Sequence, residues 1–245
     1  MRRLSTIALL VLAVLVTAPA AFAAIITLND AGTSSIEAIA DDAIGSDSQQ
    51  VAFPISLPAA GGLTATDGTS SSTTTYNLSN DGFNFTSDGV RDATLDSLAM
   101  STGAIYFSSS TNVNYVLSGT YVSDATEASG TSMSASIYDE TDSIFVFDNL
   151  QESSSTPGQS FTLGQVGGDF DNFLTGSLAG TLIAGHQYVF RFDQYIYSST
   201  ADATTSAHAI GYVNLALVPE PTTAALLGLG LTGVAAAGRQ RRSPQ

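Results

Sequence analysis

The sequence predicts an all-β protein: an antiparallel β-sandwich, jelly-roll-like, with an N-terminal signal peptide helix and a C-terminal transmembrane helix at its two ends. Three observations carry this expectation. Apolar residues of the central part recur with period two in short runs. Clusters of Gly, Asp, Asn, Ser and Pro separate the runs, with no alternating helical stretches that would argue for a parallel sheet. Long uncharged apolar stretches occur only near the two termini.

Residues 1–23 read as a signal peptide. Arg2 and Arg3 precede an apolar run from Ile7 to Val16, and Ala21-Phe22-Ala23 supplies the small-x-small pattern of a cleavage site, so the mature chain is expected to begin with the bond between Ala23 and Ala24 cut. A start-transfer anchor that stays in place is the alternative; the run is short for a span.

Residues 24–217 form the expected extracellular β-sandwich domain. Its 194 residues suffice for one sizeable core, and no repeat of constant period points to a propeller or solenoid. In "HQYVFRFDQYIYS", Tyr188, Phe190 and Phe192 fall on one side and Val189, Arg191 and Asp193 on the other, as in a half-buried strand. Tyr76 and Leu78 precede "SNDG" and Phe83 and Phe85 follow it, which predicts a hairpin. Further strands are expected in "VAFPISL", "NYVLSGTYV", "SMSASIYD", "SIFVFDNL", "SFTLGQV", "GTLIAG" and "IGYVNLALV", about nine in all. Only "RDATLDSLAM" admits a helix, and Asp67-Gly68, Asp81-Gly82 and Asp88-Gly89 read as turns.

Residues 218–245 differ in kind. Pro219 and Pro221 donate no backbone hydrogen bond and bias Val218 and Glu220 toward extended backbone, which makes a break between domain and tail. Thr222 to Gly238 is free of charge for 17 residues, at the lower end of what crosses a bilayer. A buried core helix is the alternative reading of this stretch. Arg239, Arg241 and Arg242 follow at once and would be retained on the cytoplasmic side.

A Pro-Glu-Pro tripeptide, a short Gly/Ala/Leu-rich span and a terminal arginine cluster, behind an N-terminal signal peptide, resemble the PEP-CTERM sorting signal of Gram-negative bacteria. The resemblance covers the last 28 residues. It implies that Pro219, Glu220 and Pro221 are recognition residues for exosortase, a multi-pass membrane enzyme with a cysteine nucleophile, after signal peptidase has acted at the other end. It further implies export across the inner membrane, a transient anchor there, and then the cell surface or extracellular matrix. The closing strands of the body also resemble those of many jelly-roll proteins carrying this tail, which selects no activity.

Composition sets limits on partners. The body holds Arg91 and Arg191 against 21 of the 22 acids, a formal charge of −19, and the chain has no lysine. Such a field repels phosphates and anionic lipid, which excludes nucleic acid as a partner, and it favours solubility and divalent cations. Cysteine is absent, so disulfides, thiolate metal sites and thiol nucleophiles are excluded. Ser and Thr make up 60 of 245 residues, as expected for exposed strand faces and loops or for a glycosylated surface. The acceptor patterns at Asn77 and Asn84 have little force in a bacterial export context.

Chemistry is sparse. There is no Gly-x-Ser-x-Gly elbow and no His-Glu-x-x-His pair, and of the two histidines, His186 and His208, His186 reads as a satisfied turn or surface residue at the entry to a strand. Asp139, Glu140, Asp142, Asp148, Asp169 and Asp171 could supply a carboxylate pair for glycoside hydrolysis, yet acids this abundant fall close together by chance. The chain also has no tryptophan for stacking on sugar rings. The more credible ligand is calcium, on Asp169, Asp171 and Asn172 of the glycine-rich "GGDFDNFLTG" loop, whose hard oxygens suit it although Phe173 rules out an EF-hand; a solvated acidic turn is the plainer reading. The expected catalytic residues and cofactors are therefore none, calcium apart. The expected function is a non-enzymatic, surface-displayed or matrix-associated structural or interaction protein held with extracellular polysaccharide, as in a biofilm. A calcium-dependent, lectin-like carbohydrate-binding jelly roll is the alternative.

Overall fold

The computed structural model describes residues 26–29, 34–42, 45–91, 97–124, 129–153, 158–165, 173–198 and 206–219. These form fifteen strands: β1 (Ile26–Leu28), β2 (Ser35–Asp42), β3 (Gly45–Gln50), β4 (Ala59–Asp67), β5 (Ser70–Ser79), β6 (Gly82–Arg91), β7 (Leu98–Ser109), β8 (Val113–Ser123), β9 (Ser129–Asp139), β10 (Ile144–Ser153), β11 (Gln159–Thr162), β12 (Phe173–Gly176), β13 (Ala179–Leu182), β14 (Gln187–Ser198) and β15 (Ala207–Pro219). One sheet runs β12-β10-β9-β14-β7-β2-β3 with β1 added on β7; the other runs β11-β8-β15-β6-β5-β4 with β13 added on β8. Every pairing is antiparallel. The sandwich expected from the sequence is therefore present. From β7 onward only the β9–β10 connection stays within one sheet.

Period two builds the core. Phe83 and Phe85 of β6 face Phe190 and Phe192 of β14 across the sandwich, and all four are fully buried. Phe85 lies nearly parallel to Phe192, with ring centroids 5.7 Å apart and planes at 10°, while Phe83 meets Phe107 edge-on at 4.9 Å. Such offset and edge-to-face contacts are the arrangements that ring quadrupoles favour. Toward the opposite end of β14 the interior turns polar: Gln194 is buried, Ser72 and Ser101 share a hydrogen bond of 2.8 Å, and Arg91, fully buried, donates from Nη1 to Ser97 Oγ at 3.0 Å.

The "SNDG" hairpin forms as expected, Leu78 opposite Phe83 and Tyr76 opposite Phe85, around a two-residue turn that ends on Gly82 at φ +140°. Two local expectations are corrected. "VAFPISL" is not a strand: Val51, Phe53, Ile55 and Leu57 pack in alternation against the core, but Pro54, and Pro58 just after the segment, cannot donate to a ladder, and among the described residues its one backbone bond is Val51 N–H to Ile36 O. Asp88-Gly89 is no turn but the interior of β6. Gly89 is there for space, since a Cβ would stand 2.7 Å from Ile196 Cδ1. "RDATLDSLAM" ends in strand on both sides, Arg91 closing β6 and Leu98 opening β7; residues 92–96 between them lie outside the described residues.

Candidate functional site at the exit of the chain

β15 is the middle strand of its sheet, between β8 and β6, and it needs both neighbours: Val213, Leu215 and Leu217 point into the core. Its last residues remain paired. Leu217 lies opposite Tyr115, Val218 opposite Asn114 and Pro219 opposite Val113, and Leu217 N–H donates to Asp81 O at 2.8 Å. Proline tolerates this place because it closes the strand, where its missing N–H interrupts no further ladder. Thus Pro219, the first residue of the Pro-Glu-Pro tripeptide, belongs to the sheet. Glu220, Pro221, the span 222–238 and Arg239, Arg241 and Arg242 lie outside the described residues, as do the signal peptide with Ala23 and Ala24 and the expected calcium ligands Asp169, Asp171 and Asn172. Among the described residues no helix is long and apolar enough to cross a membrane.

The strand register shows what surrounds the exit. Val113 pairs with Pro219 on one side and with Leu182 on the other. Leu182 leads into the β13–β14 turn, Ile183 to His186, and β14 then starts beside Ser108 and Asp139. Ile26 of β1 lies opposite Ser109 at this same end. The described chain therefore starts and finishes at one end of the sandwich.

That end also holds the cluster of titratable groups that stands out among the described residues. His186 Nδ1 lies 2.8 Å from Asp139 Oδ2 and 3.8 Å from Asp142 Oδ2. Asp139 is buried at the close of β9, and its Oδ1 accepts from Thr141 N–H at 2.9 Å and Asp142 N–H at 3.2 Å. The β9–β10 turn is thereby wrapped around one carboxylate, a local Asx-type bond that aspartate is suited to make. Tyr188 stacks on the imidazole with centroids 6.2 Å apart, and its hydroxyl accepts from Ile183 N–H at 2.8 Å.

Burial pushes Asp139 upward, but the hydrogen bond from His186, the Asp142 and Thr141 amides and the imidazolium charge outweigh it, leaving the carboxyl below its ordinary value of 3.8. The same bond, opposed by desolvation and aided by the charges of Asp139 and Asp142, raises His186 above 6.5. Burial drives the Tyr188 phenol up to about 12. These groups fasten the β9–β10 turn of one strand pair to the turn that precedes β14.

One ligand atom from each of Asp139, Asp142 and His186 lies within 4.8 Å of the others, a set of one nitrogen and two oxygens that a divalent ion of intermediate softness could use. Such an ion would have to displace the Asp139 carboxylate from Nδ1, and an imidazole ligand is foreign to calcium. The expectation that His186 is a satisfied turn histidine holds, and its partner 47 residues away could not be read from local pattern. His208, on β15, likewise has a partner: its Nε2 is 2.8 Å from Asp88 Oδ1. Asp148, facing outward on β10, is raised by partial burial.

A family model described as the PEP-CTERM protein-sorting motif matches residues 217–242. The chain carries that motif, the mark of an exported protein sorted by exosortase, a membrane protein, to the surface or extracellular space. The match begins at Leu217, so motif and sandwich share Leu217, Val218 and Pro219. A search among curated proteins finds no match.

Proposed function

We propose that the protein is a surface-displayed or matrix-associated structural or interaction protein, whose sandwich is carried to its place by the sorting tail and there contacts extracellular polysaccharide. The observation that carries the reading is the direct passage of the central strand β15 into the sorting motif at Leu217–Pro219, with no linker domain between. Whatever the exosortase does to the tail, it acts on a rigid, folded cargo. The outer face of the β15 sheet supports the second half of the proposal. Thr162, Thr120, Thr86 and Thr75 share one cross-strand row with Tyr212, and Asn214, Asn84 and Asn77 occupy another. Rows of hydroxyls and amides at strand spacing, about 4.8 Å, suit a hydrated polymer surface.

The test is intact mass and cell fractionation of the wild type beside a variant with Pro219, Glu220 and Pro221 changed to alanine. The reading expects wild type to lose the tail and reach the outer surface, and the variant to stay full length in the inner membrane. Identical masses and fractions for the two would refute sorting as the role of the tripeptide. Retention of wild type on the host's own extracellular polysaccharide, lost on changing Thr86, Thr120 and Tyr212 to alanine together, would support the polymer contact; unchanged retention would count against that face.

A further inference from the structure

We infer that the end of the sandwich holding the chain exit seats on the lipid surface while the tail is in the membrane, with Ile144, Phe145 and Ile183 in the headgroup layer. The inference rests on the tail reading of residues 222–238 and adds to it a docking face of the folded body.

Covalent reach sets the height of the body above the span. Only Glu220 and Pro221 stand between Pro219 and Thr222, and Pro219 is held opposite Val113. Three Cα steps span at most about 11 Å in any conformation. The headgroup region adds only about 5–8 Å on each side of the hydrocarbon core. With residues 222–238 in the hydrocarbon, the tip of β15 therefore lies in or against the headgroups. A helix of 17 residues is about 26 Å long, shorter than a hydrocarbon core of about 30 Å, so the tail offers no slack to lift the body away.

The tip presents apolar side chains to that surface. Ile144 is 54 % exposed, Phe145 50 %, Ile183 47 % and Val218 51 %. Ile183 lies in a turn and Ile144 and Phe145 open a strand directly after one, where polar residues are the rule. They also lie on one level. Pro219, Val113 and Leu182 are successive cross-strand neighbours, and Ile183 N–H bonds the hydroxyl of Tyr188, whose partner Asp139 is opposite Ile144. At about 4.8 Å per strand and about 10 Å between sheets, these side chains ring the exit within roughly 20 Å. The ion pair of Asp139 and His186 holds the two turns that carry them at a fixed relative height. Asp81, Glu140 and Asp142 at the same end direct the contact to uncharged headgroups rather than to anionic lipid.

The absence of tryptophan makes the test direct, because each introduced indole is the sole one in the chain. Four full-length variants, Phe145→Trp, Ile183→Trp, Tyr197→Trp and Leu227→Trp, are reconstituted in phosphatidylcholine vesicles with and without brominated acyl chains. Tyr197 lies ten residues along β14 from Gln187, about 34 Å from the docking end. The inference expects bromine to quench the tryptophans at 145, 183 and 227 at least about twofold and to leave 197 unchanged, since interfacial groups sit within about 5–10 Å of the acyl boundary. Quenching at 227 with none at 145 and 183 overturns the docking face while sparing the tail reading. No quenching at 227 overturns the tail reading itself, and the docking face with it. Equal quenching at 197 means the body lies on its side and also overturns the inference. Shielding at 145 and 183 that appears only in native membranes, and not in pure lipid, assigns the face to a protein partner and overturns the lipid proposal.

Discussion

Gly103 of β7 and Phe85 of β6 face each other across the sandwich, and their contact predicts a coupled pair of mutations. A Cβ on Gly103 would stand 2.7 Å from Phe85 Cε1 and 2.8 Å from Cζ, so the ring would have to recede by most of an ångström to reach ordinary contact. It has nowhere to go: Phe85 is fully buried, parallel to Phe192 at 5.7 Å and tilted against Phe190 at 5.9 Å. Overpacking of this kind costs about 1–3 kcal/mol, more than the roughly 0.4–1 kcal/mol that a Gly→Ala change contributes by restricting the unfolded chain. Gly103→Ala is therefore expected to destabilise. Phe85→Ala alone removes a buried ring and costs about 3–5 kcal/mol. In the double variant the new methyl occupies part of the vacated space, so the combined loss falls short of the sum of the two single losses by about 1–3 kcal/mol. The assay is urea unfolding of the four proteins, read by tyrosine fluorescence and by circular dichroism to check two-state behaviour. Additivity within about 0.5 kcal/mol would falsify the packing argument.

Asp139→Asn probes the ion pair at the exit end through pH. His186 is raised in the folded state, so its contribution is whole below 6.5 and disappears as pH rises through the raised value; Asp139 is lowered, so its contribution is whole above 3.8 and disappears as pH falls through the lowered value. The Tm difference between wild type and Asp139→Asn should thus be greatest from pH 3.8 to 6.5 and shrink on either side; a difference flat from acid to alkali rules the pair out as its source. Gly82→Ala meets both a positive φ of +140° and a backbone oxygen, Leu215 O, at 2.0 Å from the new Cβ. A loss of at least about 2 kcal/mol in the same urea assay is expected, and a neutral outcome would mean that the β5–β6 turn is built differently. On alkaline titration Tyr188 should ionise only near 12, followed by phenolate absorbance as the difference between wild type and Tyr188→Phe. A difference titrating near 10 would show that the phenol is solvated.

Some of this architecture was legible residue by residue. Tyr188, Phe190 and Phe192 announce the core face of β14 by alternation alone, and Leu78–Ser79 with Gly82–Phe83 announce their hairpin by a two-residue turn. β7 lacks such a signal, although it pairs with β14, β2 and β1, because the inward positions in the first half of "LAMSTGAIYFSS" are the small residues Ala99, Ser101 and Gly103, and large apolar ones, Ile105 and Phe107, follow only later. β2 was missed for the same reason: Ile36, Ala38 and Ala40 face inward, and alanine is a poor strand signal. "VAFPISL" misled in the other direction, since it has the alternation of a strand and the burial to match but lacks the donors a ladder needs. At the candidate site His186 was recognisable as a turn residue, whereas its pairing with Asp139 depends on β9 and β14 being neighbours.

By itself the sequence determined the all-β class and the destination of the chain, because strand periodicity, turn chemistry and the Pro-Glu-Pro tail are each written in a few contiguous residues. Only the tertiary structure decided that Pro219 lies inside a sheet, that the described chain begins and finishes at one end, and that Ile144, Phe145 and Ile183 stand exposed at that end, where Asp139 is buried. Those facts depend on which strands pair and in what register, and that is set by how the two sheets bury their inner faces against each other rather than by any local run of residues.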